Sequence, residues 1–325
     1  MRILECVPNV SEGRNPDVIE RICRHITANS AAKLLHRDTG FDANRTVVTL
    51  AGTPEEVLRA ALLCMEKSFE LIDMRTQRGA HPRLGAVDVC PLIPLQGVTM
   101  WDAMLWANRL AKQAAERFHI PVYLYEENAP APERKNLAFI RRGEYEALPR
   151  KLHELPPDFG PREMTPQTEK TGACIIGARQ FLIAFNVNLN TQDAQPAKQI
   201  AAVLREQNGG LPAVKAIGWA MPQYQCAQVS FNLTNYRKTN LHQVYEACKN
   251  EARKRGLVTA GSELVGLVPL EAIREAGRFY AGNAALPDAE LIRCAAAGLG
   301  LHACSPFIPE NKILDCLLKH NGLWS

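Results

Sequence analysis

Residues 81–95 read HPRLGAVDVCPLIPL, and residues 261–270 read GSELVGLVPL. In both, a glycine leads into an apolar run that closes on proline, the pattern of a short strand bounded by backbone breakers. Each follows a helical segment, and before each helix lie two strand patterns, a further helix and a first strand. In the first half these are ILECVPNV at 3–10, a helix with Asn15 as cap and Pro16 at its first position, AKLLHRDTG, NRTVVTLAG, and a helix opened by Thr53-Pro54-Glu55-Glu56. The second half answers with FLIAFNVNLN at 181–190, AKQIAAVLRE, AVKAIGWAM, AQVSFNLTN and an Asn240-capped helix. Each half therefore reads β-α-β-β-α-β, the split βαβ order, and the chain is predicted to be α+β with two ferredoxin-like subdomains. The repeat is one of element order, with little identity between the halves.

Outside these units, Thr99 with Asp102 forms a capping box for a helix through MLWANRLAKQAAERF, and PVYLYEE at 121–127 reads as a strand. The stretch 158–172, DFGPREMTPQTEKTG, has no apolar period and reads as a loop. LEAIREAGRFYAG, DAELIRCAAAGLG and NKILDCLLKH are helical patterns near the end.

Composition narrows the function. Of the 325 residues, 46% are hydrophobic and 22% charged, which suits a globular chain with full cores, and no apolar run is long enough to span a membrane. MRILECVPNV has no signal-peptide pattern, so the expected compartment is the cytoplasm. The net charge of +4 is too small to argue for nucleic acid, yet it permits a local basic site for an acidic small molecule. The 10 cysteines stand singly without a C-x-x-C pair and read as reduced structural thiols. Neither G-x-G-x-x-G after a strand nor a phosphate-loop motif is present.

Chemistry concentrates around His81. Pro82 biases it toward extended backbone, Gly79 and Gly85 allow tight turns, and Arg75, Arg78 and Arg83 surround it with positive charge. A titratable ring on a cationic loop at the mouth of a strand suits general acid–base work, and a satisfied structural histidine is the plainer reading. Asp38 and Arg45 flank the next strand turn, and the split order would gather Asn9, Asp38, Arg45 and His81 near one edge of the sheet. The competing reading is that Asp38 and Asn44 only make turn hydrogen bonds. His302, Cys304, Cys316 and His320 have spacings that could suit zinc, but Cys316 falls within the apolar stripe ILDCLL and no further ligand cluster supports a metal.

ECVPNVSEG, NRTVVTLAG, RGAHPRLGAVDVCPLIP, PVYLYEE, RRGEYEALPRKL, DFGP, GARQFLIAFNVNLN, GSELVGLVPL and SPFIPE together resemble the formiminotransferase family along essentially the whole chain. That resemblance implies subdomains at 1–178 and 179–325 with a substrate tunnel between them, and a homodimer. It implies transfer of the formimino group from N-formimino-L-glutamate to N5 of tetrahydrofolate in histidine breakdown, with tetrahydrofolate as co-substrate and no metal. His81 takes the place of the family's catalytic histidine, with Asp38 as a carboxylate to orient it. Asn9, Arg45, Arg78 and Arg83 are the expected donor-binding residues. The folate segment falls on Gly160, Pro161, Arg162, Glu163, Met164, Thr165, Pro166, Gln167, Thr168, Glu169, Lys170, Thr171 and Gly172. There the chain is a few residues longer than the family pattern and lacks its tryptophan. In animals the domain is fused to a cyclodeaminase; this chain ends where the transferase would end, so it is expected to be monofunctional and to hand its product to a separate cyclodeaminase. The alternatives are N-formylglutamate as donor and a non-catalytic folate-binding protein.

Overall fold

In the computed structural model, residues 1–222, 225–282 and 285–324 are described. The chain divides into two compact units, Met1–Arg179 and Gln180–Ser325.

The first unit is built on a seven-stranded sheet. The single strand expected over 3–10 is two, β1 (Leu4–Cys6) and β2 (Asn9–Val10). Pro8 breaks the run because it has no N–H to give the ladder, although its carbonyl still accepts from Val48 N at 3.0 Å. Helix α1 (Pro16–Asn29) starts where the Asn15 side chain accepts from Asp17 N and Val18 N. Strands β3 (Lys33–Gly40) and β4 (Arg45–Gly52) form a hairpin, α2 (Pro54–Leu71) follows the Thr53 cap, and β5 (Val87–Pro94) completes the motif. Then come α3 (Met100–Phe118), whose Thr99/Asp102 capping box is present, and β6 (Val122–Leu124). β6 is shorter than the 121–127 expected from sequence, since the chain turns into a 3-10 helix at Glu126–Asn128. Two short helices, α4 (Leu137–Arg141) and α5 (Leu148–Glu154), lead to the stretch 158–172. That stretch is not all loop. Pro166–Thr171 forms α6, capped by the Thr165 side chain on Thr168 N. A capping Thr followed by Pro also opens α2; here it carries less than two turns, too few to show a period.

Strand β7 (Cys174–Ala178) has no counterpart in the sequence reading. It lies parallel between β5 and β6 and is buried throughout, so it shows no alternation. β1 and β2 lie end to end between β4 and β5. One sheet face, with Leu4, Cys6, Val48, Leu50, Cys90 and Leu92, packs with Ile22, Ile26, Met65 and Leu110 of the helices into the main core. On the opposite face Val89, Tyr123, Tyr125 and Ile175 pack on Ile140, Leu148 and Leu152. Strand alternation puts Glu5, Asn9, Arg45 and Thr49 on that second face. This is the face that matters for chemistry.

The second unit runs β8 (Ile183–Leu189), α7 (Ala194–Leu204), β9 (Val214–Met221), β10 (Cys226–Leu233), α8 (Leu241–Arg253) and β11 (Thr259–Val265). Its strands pair antiparallel in the order β11-β8-β10-β9. Helices α9 (Leu270–Tyr280), α10 (Asp288–Leu299), α11 (Pro309–Lys312) and α12 (Leu314–His320) follow, so the last amphipathic pattern is broken at Ile313. Phe185, Val187, Leu189, Val229 and Phe231 form the core face. The alternate positions carry buried amides: Gln228 Nε2 donates to Asn188 Oδ1 and to Glu263 Oε1, each at 2.8 Å, and Trp219 Nε1 donates to Gln228 Oε1 at 2.9 Å.

Candidate active site

The loop between α2 and β5 is fastened to the β3–β4 turn before it reaches His81. Asn44, in the left-handed region at φ 48°, donates from Nδ2 to Arg78 O at 2.7 Å and accepts from Gly13 N at 2.9 Å. Gln77 Nε2 donates to Asn44 O at 3.1 Å, and Ala80 N to Asp42 O at 3.0 Å. A Cβ on Gly79 would collide with Ala43 O, so only glycine lets the two segments approach. His81 itself is half-buried, and its Nδ1 lies 2.8 Å from Pro82 O. A carbonyl can only accept, so Nδ1 carries the hydrogen and the neutral ring keeps its lone pair on Nε2.

Around it stands a charge cluster that only the fold assembles. Asp88, fully buried on β5, accepts from Leu84 N at 2.9 Å and from Arg45 Nη1 at 2.6 Å. Arg141, at the end of α4, grips the same carboxylate with Nε and Nη2. Arg45 Nε also donates to Asn9 Oδ1 at 2.9 Å. Burial is the largest influence on Asp88 and opposes its charge, yet Arg141 and Arg45 together prevail and hold it at about 2. Burial pushes Arg45 down to about 10, so it stays a cation at neutral pH. For His81, burial first and then Arg45 and Arg141 push the pKa well below the usual histidine value, with Asp88 and the Pro82 hydrogen bond opposing. The ring is therefore neutral at pH 7.

Donor accounting separates the arginines. A guanidinium has five N–H groups. Arg83 gives Nε to Gln77 Oε1, Nη1 to Glu144 and Glu146, and Nη2 to Gln77 O and Glu146. All are committed, and Arg83 clamps the 141–147 turn that carries Arg141. Arg45 and Arg141 each use two groups on described residues and keep three. The exposed Arg78 donates to Gln77 O at 2.6 Å.

Asn9 and Asp38 both pair with Val47, from opposite sides of β4, so they share a face with Arg45 two residues along. Asp38 Oδ2 also lies 3.5 Å from His36 Nε2. Asp88 is a carboxylate whose field bears on His81. Sequence reading missed Asp88 and Arg141, although a lone carboxylate inside the apolar run VDVCP was the available signal. The 160–172 segment ends beside this site: Gly172 bridges Gly85, and Thr171 O accepts from Ala86 N at 2.8 Å. A Cβ on Gly172, at φ +69°, would collide with Leu84 O. Among the described residues no three His, Cys, Asp or Glu side chains gather as a metal site; His302 Nδ1 accepts from Phe307 N, and Asn188 Nδ2 lies 3.0 Å from Cys304 Sγ.

The fold is thus an α+β protein of two sheets, the first with a buried cationic cluster around a neutral histidine. Residues 3–179 match the formiminotransferase domain's N-terminal subdomain, and residues 184–319 match the formiminotransferase domain. The chain is 42% identical over 284 residues to glutamate formimidoyltransferase of Thermoplasma acidophilum, covering 86% of this chain and 92% of that one. It is 39% identical over 281 residues to the protein of the same name from Streptococcus pyogenes serotype M1, covering 86% and 93%. With formimidoyltransferase-cyclodeaminase of Rattus norvegicus it shares 44% over 332 residues, 99% of this chain but 61% of that relative, so it spans about three fifths of such proteins. The chain belongs to the formiminotransferase family.

Proposed function

We propose that this protein transfers the formimino group of N-formimino-L-glutamate to N5 of tetrahydrofolate, giving 5-formiminotetrahydrofolate and L-glutamate. The observation that carries the reading is the neutral His81, whose Nδ1–H is held by Pro82 O, which makes Nε2 the basic nitrogen of the ring. N5 attacks the formimino carbon and becomes a tetrahedral centre bearing an extra proton. Nε2 takes that proton, the C–N bond to glutamate breaks, and the imidazolium returns the proton to the departing nitrogen. A depressed pKa makes the imidazolium a strong acid, which suits the second transfer.

Arg45 and Arg141 supply N–H groups for a donor carboxylate, and with Asp88 the trio carries one net positive charge. When a carboxylate pairs with them, the cations that depress His81 are offset and the ring gains basicity once the donor is in place. Asn9 orients Arg45, Asp38 lies on the same face, Arg78 adds charge at the loop, and Arg83 acts as a positioning residue. The segment 160–172 takes the folate. The working form is a homodimer in the cytoplasm, and the product passes to a cyclodeaminase, an activity joined to this one in the rat relative's name. No described helix is long and apolar enough to cross a membrane. The test is turnover of formiminoglutamate and of formylglutamate, side by side, with tetrahydrofolate. Formation of 5-formiminotetrahydrofolate is expected; turnover of only the formyl donor, or of neither, refutes the reading.

A further inference from the structure

Glu5 sits in the middle of the first unit's sheet, on β1 between β4 and β5, paired with Ala51 on one side and Ile93 on the other. It is 1% exposed, and its Oε2 has no hydrogen-bond donor among the described residues. Both cross-strand neighbours are apolar and can give it nothing. A buried carboxylate oxygen without a donor is costly, and native proteins keep few of them. An apolar residue would serve the core better, so the position points to a ligand that brings the donors.

The place of Glu5 says which ligand group this is. Alternation along the strands puts it on the face that carries Asn9 and Arg45. The two ends of this face are electrostatically continuous. Tyr125, 2% exposed, lies in the fields of Arg179 and Arg141 and itself acts on Arg45, while Arg179 acts on Glu5. Along β5, Asn9 pairs with Val89 and Glu5 with Ile93, four residues on, or roughly 13 Å at strand spacing. The substrate carboxylates are acceptors and anions, and Glu5 repels them. The formimino group carries N–H, but it must react beside His81, at the Asn9 end. What remains is an N–H edge remote from the reacting nitrogen. The 2-amino-4-oxopyrimidine ring of a reduced folate has such an edge: N3–H and the 2-amino group lie side by side, on the part of the bicycle away from N5. Two parallel N–H groups match the two oxygens of a carboxylate.

We propose that Glu5 is the recognition residue for the aminopyrimidinone ring of the folate, accepting from N3–H and the 2-amino group and so setting the ring's direction with N5 toward His81. The assignment rests on the proposed acceptor, tetrahydrofolate. It has a proton signature. Burial pushes the Glu5 carboxyl up to about 7, with Arg179 opposing. Ring donors favour the anion, so binding lowers that pKa and releases protons near neutrality. His81 titrates well below this window and leaves the signal to Glu5.

The experiment compares wild type with E5Q. The amide keeps the shape but turns one acceptor into a donor that faces a donor. Tetrahydrofolate Kd should rise roughly 10- to 100-fold in E5Q, the range for losing charge-assisted hydrogen bonds. Inhibition by p-aminobenzoylglutamate, which lacks the ring, should be unchanged, as should the formiminoglutamate KM. Wild-type affinity for tetrahydrofolate should weaken as pH falls from 8 to 6, and E5Q should be flat over that range. E5Q should melt no lower than wild type at pH 8: a carboxyl with a raised folded pKa opposes folding once pH exceeds its unfolded value, and the amide removes that opposition. E5D, which keeps the charge and withdraws it by one methylene, should weaken tetrahydrofolate and retain the pH dependence. Undiminished tetrahydrofolate binding by E5Q overturns the assignment, as does a loss confined to the formiminoglutamate KM. Failure of wild type to bind tetrahydrofolate overturns the proposed function and takes the Glu5 role with it.

Discussion

Asp88→Asn removes one negative charge from between two guanidiniums and changes the side-chain volume little. The amide oxygen can still accept from Leu84 N, but the other position becomes an NH2 facing Arg45 and Arg141. The carboxyl is held at about 2 against an ordinary 3.8, which corresponds to roughly 2–3 kcal/mol. Two buried cations are also left without their counter-charge, and removing one partner of a buried pair costs about 3–5 kcal/mol. The larger figure should govern, because Asp88 has no exposure through which water could replace it. For a unit of this size the melting temperature should fall by about 6–20 °C at pH 7. Since its folded pKa is depressed, Asp88 contributes its stability above the unfolded value of 3.8 and loses it as pH falls through about 2. The gap between wild type and D88N should therefore narrow on acidification across that window. Thermal melts of both proteins at pH 7 and near pH 2 test this. A shift at pH 7 smaller than about 1 kcal/mol would move, or a gap that does not change with pH, refutes the cluster as drawn.

His81→Ala should lower kcat by roughly 10²–10⁴ while tetrahydrofolate still binds, and near wild-type turnover would make His81 structural. In wild type saturated with tetrahydrofolate, the acid limb of kcat/KM for formiminoglutamate, which reports the enzyme before it takes the donor, should lie below the ordinary histidine range, and the limb of kcat should lie higher because bound donor offsets Arg45 and Arg141; coincident limbs would contradict that. Arg45→Lys should raise the formiminoglutamate KM about 10-fold with little loss of stability, whereas Arg83→Lys should mainly lower the melting temperature, and the reverse result would exchange their roles. Incubation with EDTA should leave activity intact; loss rescued by zinc would restore the reading of His302, Cys304, Cys316 and His320 as ligands.

Much of this architecture is written locally in the chain. Pro16 after Asn15, Thr53-Pro54-Glu55-Glu56 and the Thr99/Asp102 box each mark a helix start, because a cap acts within three residues of itself. The strand from Ile183 shows its alternation for the same reason: side chains two apart share a face, and Ile183, Phe185, Val187 and Leu189 alternate with Asn186 and Asn188. His81, between Gly79 and Gly85 in a run of arginines, is conspicuous on its own. Local reading fails where the deciding partner is distant. β7 shows no period because β5 and β6 cover its flanks and cores bury both its faces. Arg45, Arg78 and Arg83 look alike as sequence, and only the hydrogen bonds of Glu144 and Glu146 to Arg83, across more than sixty residues, distinguish a clamp from a guanidinium with N–H groups to give. Asp88 and Arg141 lie 53 residues apart and become a pair only because the end of α4 comes to the start of β5. Residue type and spacing determine which elements form and which groups can do chemistry. The tertiary structure decides which charges share a desolvated space, since Coulomb energy and burial depend on distance in space and not on distance along the chain.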